Sequence, residues 1–274
     1  MLTTLLSAVF AAFVAILATI SIEKFGGKLG GLLSSIPSTV VPASLGFWYS
    51  AAGVSEFQAS LMTVSLGMFV NALFLYSWRV VPPLFSAEIN LWTRLYGMIL
   101  ISMTVWAMGA FALVQLLSWI EDIQIWGIGG GITLLFFGVF ACLNNPPAPK
   151  GSRKINLVVL LSRGVLAGLA IGFAVWLSGL GSPILAGMAS VFPAIFLTTM
   201  VSVWVSQGAA VQGGAVGPMM LGSSSVSCYA VLAAYIYPQL PLMWAVLFAW
   251  LGSILLISLP AWLFLARLEK FKRK

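Results

Sequence analysis

Two short stretches place hydroxyl side chains beside a proline inside otherwise apolar sequence. The first, GGLLSSIPSTVVP over residues 30–42, holds Ser34, Ser35, Pro37, Ser38 and Thr39. The second, ILAGMASVFPAIFLTT over residues 184–199, holds Ser190, Pro193, Thr198 and Thr199. A proline inside a helix removes one backbone hydrogen bond and pushes against the carbonyl four residues earlier. In lipid the released carbonyl needs another partner, which concerns the carbonyls near Leu33 and Ala189. Hydroxyls and bare carbonyls suit the reversible holding of a small solute. One such stretch reads equally well as a plain kink, whereas two in matching words point to a binding site.

Other polar residues sit in apolar surroundings. Asn71 is an amide that needs partners there, and GSSSVSC at 222–228 carries Ser224 and Ser227. Interhelical hydrogen bonding, at about 0.6–2 kcal/mol, is the structural reading of both; a solute contact is the functional one. Arg163 is the one charge clearly inside an apolar segment. It either runs out to the interface or faces a cavity and binds an anion.

Much chemistry is excluded. The chain has no His, so histidine triads, metal sites and proton relays do not arise. Asp122 is the sole aspartate, which rules out a two-aspartate intramembrane protease. Cys142 and Cys228 are far apart and form no CxxC. No nucleophile and base can be assembled, so the chain is not expected to be an enzyme, and no metal or cofactor is implied.

The elements that position these residues are membrane helices. Of 274 residues 61% are hydrophobic and 7% charged, far below the ~25% charged residues of soluble domains. The sequence therefore predicts an all-α integral membrane protein of about nine transmembrane helices. They fall near 3–22, 29–51, 56–78, 93–118, 122–143, 156–178, 182–205, 212–236 and 241–267. Gly164, Gly168 and Gly172 make a close-packing GxxxGxxxG face, answered by Ala8 and Ala12 in the first helix. GIGGGI at 127–132 is a packing or flexing feature with no phosphate-loop context.

With nine spans, Lys24, Lys28, Arg79, Arg94, Lys150, Arg153, Lys154 and the basic tail from Arg267 to Lys274 share one side. Glu56, Glu121 and Asp122 occupy the other. The positive-inside rule then places the N-terminus outside and the C-terminus in the cytoplasm, in a bacterial cytoplasmic (inner) membrane. The scattered positive charge is topological and implies no nucleic-acid partner; the partners expected are the lipid bilayer and a small solute. The sequence sets no oligomeric state.

The chain also echoes itself. A gapless shift of 156 residues brings Pro37 onto Pro193, Pro82 onto Pro238, Trp48 onto Trp204 and Trp106 onto Trp262. Fewer than about one chance pair of each type is expected. Five spans separate the two copies, so they must be inverted. The arrangement is 4+1+4: a four-helix membrane repeat at 1–119, a linking helix and cytoplasmic linker at 120–154, and an inverted four-helix repeat at 155–274. In architecture alone this resembles the two-domain fluoride exporter channels, whose hydroxyl-and-phenylalanine pore motif has no match here.

Pro37 and Pro193 lie about eight and eleven residues into their spans, roughly 12–17 Å deep in a core about 30 Å thick. Paired, interrupted helices at the midplane of inverted repeats are where secondary transporters bind their solutes. The expected function is therefore a carrier or exporter of a small polar or anionic solute. The alternatives are a passive channel between the repeats and a non-catalytic membrane assembly subunit.

Overall fold

The computed structural model describes residues 1–25, 36–86, 88–144, 157–207 and 209–272. These residues form helices and short connections, with no strand among them. In chain order the helices are α1 (Leu2–Phe25), α2 (Val40–Ser50), α3 (Val54–Val80), α4 (Leu91–Leu117), α5 (Ile123–Leu143) and α6 (Leu157–Gly179). There follow α7 (Pro183–Ser190), α8 (Ala194–Gln207), α9 (Ala209–Ile236), α10 (Leu242–Ser253) and α11 (Leu259–Lys272).

Among the described residues, seven segments are long and apolar enough to cross a bilayer: Val54–Leu84, Leu91–Leu117, Ile123–Leu143, Leu157–Gly179, Pro183–Val205, Gly213–Ile236 and Leu242–Leu268. The chain is thus a helical protein of integral membrane type. Exposed Trp119, Trp126, Trp176 and Trp244 gather near helix ends, where amphipathic indoles favour the bilayer interface.

Local sequence sets the helix limits. Asn90 caps α4 by accepting from the Thr93 amide at 2.8 Å. Asp122 caps α5 by accepting from the Gln124 amide at 3.1 Å. At the far end of α5, the Arg79 guanidinium donates to the Ala141 carbonyl at 2.8 Å, placing positive charge at the negative end of the helix dipole. Gly181 turns α6 into α7 with φ of 71°, a conformation that glycine adopts freely.

One irregularity was not legible in the hydropathy. Between α10 and α11, Ile254–Ser258 form a π-helical turn. Pro260 cannot donate to the carbonyl four residues earlier, and widening the helix by a turn absorbs that loss.

Helix α3 is the hub. Its most apolar window is 78% buried, against 17% for α4, so α3 lies in the protein interior while α4 presents most of its surface outward. The principal neighbours are α1 with α6, α3 with α9, and α5 with both α3 and α9. In addition α1 packs on α2, α6 on α8, α3 on α4 and α9 on α10. Two seams are made by small residues. On α6, a Cβ at Gly168 would stand 2.9 Å from the Ala8 carbonyl oxygen, and one at Gly172 would stand 3.0 Å from the Ala8 Cβ. On α5, the α-carbons of Gly127, Gly130 and Gly131 rest against Met62, Leu66 and Ser65 of α3. Backbone contact of this kind strengthens van der Waals packing where lipid supplies no hydrophobic drive.

Candidate functional site

The segment around Pro193 is interrupted. Helix α7 ends at Ser190, α8 begins at Ala194, and residues 191–193 run between them. Three carbonyls at the break find donors. The Ala189 carbonyl accepts from the Phe192 amide at 3.1 Å, and the Phe192 carbonyl accepts from the Ala194 amide at 2.8 Å. The Val191 carbonyl accepts from Nδ2 of Asn71 at 2.9 Å, across 120 residues of sequence. Asn71 projects from the middle of α3 and is 2% exposed. Its carboxamide is therefore the tertiary clasp of the break.

The approach that makes this clasp possible again depends on glycine. A Cβ on Gly67 would press on Val191, and one on Gly187 would collide with the Ser60 carbonyl. Trp106 of α4 packs on the break, its ring edge-on to Phe192 at 5.3 Å between centroids.

The hydroxyls singled out by the sequence fall into two groups. Ser190 donates to the Gly187 carbonyl at 2.8 Å, Thr198 to Ala194 at 2.8 Å and Thr199 to Ile195 at 2.7 Å. These three spend their protons inside their own helices, leaving oxygen lone pairs as their remaining capacity. Ser227 instead donates across helices to the Ser65 carbonyl at 3.2 Å. Ser224, one turn before it on α9, is buried and its hydroxyl has no partner among the described residues. Ser227 belongs to the α3–α5–α9 core.

Around the first proline, Ser34 and Ser35 lie outside the described residues. Residues 36–39 are non-helical, Pro37 is buried, Ser38 and Thr39 are half-buried, and α2 starts at Val40. A helix beginning just beyond Pro37 matches one beginning just beyond Pro193. Arg163, in the second turn of α6, is only 7% exposed. That burial does not fit a side chain stretched along the protein surface toward the interface.

One polar cluster was absent from the sequence reading. Ser44 of α2 meets the Tyr229 hydroxyl of α9 at 2.8 Å and the Tyr237 hydroxyl, just past the end of α9, at 2.9 Å. The two tyrosine oxygens are 2.7 Å apart, and Ser44 also donates to the Val41 carbonyl at 2.9 Å. Trp48 covers the cluster with Phe57 and Tyr237, centroids 5.0 and 5.8 Å away. Nearby, Tyr235 donates to Gln124 at 2.9 Å and Gln58 donates to the Ala234 carbonyl at 3.1 Å. No pattern of spacing signals this cluster, because its members are 185 and 193 residues apart.

At that same end of the bundle a cleft of about 400 Å³ opens between Ser55, Gln58, Glu121 and Gln124. Toward the opposite end Trp204 of α8 stands edge-on to Trp78 of α3, at 6.0 Å.

Compared with known protein families, with curated proteins and with solved structures, the chain has no match.

Proposed function

We propose that this chain is a secondary carrier of a small polar or anionic solute, built of nine spans as 4+1+4 inverted repeats. The observation that carries the proposal is the interruption at 191–193, clasped by Asn71 and matched by the non-helical residues 36–39 one repeat earlier. A broken helix at membrane depth is tolerated where it is buried in protein or lines a cavity. In transporters of inverted design such breaks form the solute site.

The helix pairings support this reading. Exchanging α1 with α6, α2 with α8, α3 with α9 and α4 with α10 turns the pair α1–α2 into α6–α8. The same exchange turns α3–α4 into α9–α10, and α5 touches both α3 and α9. The matched tryptophans agree. Trp48 packs on Tyr237 beyond the end of α9, and Trp204 packs on Trp78 at the end of α3. These two aromatic clusters suit the roles of gates on either side of a central site, with the Ser44–Tyr229–Tyr237 cluster fastening one of them. In this scheme the N-terminus is external, the C-terminus is cytoplasmic and the membrane is a bacterial inner membrane. Residues 1–119 and 155–274 rock about the linking element 120–154.

The test is solute flux in proteoliposomes, after a thermal-shift screen of anionic, neutral and cationic solutes to choose the probe. A carrier gives saturable uptake that is accelerated by the same solute on the far side. Flux linear in concentration without counterflow means a channel. Absence of any flux means an assembly subunit.

A further inference from the structure

The carboxamide of Asn71 cannot be turned over. Its Nδ2 faces the Val191 carbonyl at 2.9 Å, and a carbonyl oxygen only accepts. Oδ1 must therefore be the other arm, and it too lies at the break. That oxygen is buried and has no partner among the described residues, on a residue 2% exposed. Asn71 Nδ2 has a second neighbour in the Met68 sulfur at 3.5 Å.

A donor is unused here as well. Trp106 lies against Phe192, and its indole N–H is buried with no acceptor among the described residues. Buried indoles normally find one. Helix α8 opens at Ala194, whose amide donates to the Phe192 carbonyl, while the Leu197 amide donates to the Pro193 carbonyl. The amides of Ile195 and Phe196 have no acceptor within the helix and lie at the positive end of its dipole. The break thus offers an unused acceptor together with donors.

We infer that the break holds a small solute that carries an N–H or O–H donor next to an acceptor oxygen, such as a hydroxy or amino carboxylate. The donor goes to Asn71 Oδ1 and the oxygen goes to the Trp106 indole and the opening of α8. This rests on the carrier reading above and narrows it. A bare anion such as nitrate would satisfy the donors but leave its negative charge against the carboxamide oxygen. A permethylated solute would lack the hydrogen that Asn71 requires.

The test compares matched pairs on the purified full chain, by thermal shift and by competition for uptake in proteoliposomes. Lactate is set against acetate, glycine against its trimethylated betaine, and nitrate stands as the bare anion. Lactate or glycine should bind at least about tenfold more tightly than its partner, since each 1.4 kcal/mol is a factor of ten and an unpaired buried group loses at least that order. Trp106→Phe keeps the ring on Phe192 and should weaken both members of a pair about equally, leaving their ratio intact. Asn71→Ala should flatten the ratio toward one. Should that variant not fold, the lactate–acetate and glycine–betaine ratios on the unmodified chain decide the inference alone. Equal binding of lactate and acetate, of glycine and betaine, or tightest binding of nitrate would overturn the inference while leaving a carrier with a different solute. An unchanged ratio in Asn71→Ala would show that water alone serves Oδ1 and would also overturn it. If no pair member binds, the assigned class is wrong, and counterflow with the wider solute screen decides the carrier reading separately.

Discussion

Gly187 of α7 rests so closely on the Ser60 carbonyl of α3 that no side chain fits between them. A methyl group at this position would also lie 2.6 Å from Thr63 Cβ. Neither the backbone of a buried helix nor a branched side chain can retreat. Gly187→Ala should therefore destabilise the protein by about 1–3 kcal/mol through overpacking. Gly129, on the open side of α5, meets nothing within 4 Å, so Gly129→Ala should be neutral or slightly stabilising. Thermal unfolding in detergent of the two variants, side by side, checks the contrast.

Asn71→Leu removes the side-chain donor to the Val191 carbonyl and leaves that oxygen buried. The expected loss is about 1–3 kcal/mol. Ser190→Ala and Thr199→Ala remove hydroxyls that bond within their own helices, and each should change stability by under about 0.5 kcal/mol, the size of an ordinary surface substitution. Equal losses in all three variants, read from their denaturation midpoints, would argue against a special clasp at the break.

In the carrier scheme, Tyr237→Phe and Ser44→Ala loosen the fastening between α2 and α9. Each should raise the rate at which a cysteine placed at the fully buried Ser60 reacts with a water-soluble maleimide. The measurement needs Cys142 and Cys228 replaced first. Unaltered labelling would mean that the aromatic cluster does not move.

In the proposed nine-span scheme the termini lie on opposite sides. An epitope ahead of Met1 should be reached by antibody on intact spheroplasts, and one after Lys274 only after permeabilisation. Termini on the same side would rule out an odd number of spans.

The helices were legible because an apolar stretch of membrane length declares itself in composition. The expected limits of 93–118, 122–143 and 156–178 differ by no more than two residues from Leu91–Leu117, Ile123–Leu143 and Leu157–Gly179. The interruption at Pro193 was legible because proline lacks an amide hydrogen, and the α6 glycine face because its partners Ala8 and Ala12 recur at the same interval. Asn71 could be marked as needing a partner, yet nothing in its neighbourhood pointed to Val191. Trp106 read as one half of a repeated pair, not as a wall of the break. The Ser44–Tyr229–Tyr237 contacts were invisible, since a serine in an apolar helix and two tyrosines eight residues apart are each unremarkable locally. Tertiary proximity alone makes them a cluster.

That cluster has an arithmetic consequence. Ser44, Tyr229 and Tyr237 own one hydrogen each, while their oxygens take part in four close contacts, including the Val41 carbonyl. A carbonyl contributes no hydrogen. At every instant, one pair of oxygens under 3 Å apart has no proton between it. The protons can redistribute among the contacts, but the deficit never closes. The fastening between α2 and α9 is thus a clasp with one stitch always missing; in the carrier scheme that shortfall is what lets a closed end come undone.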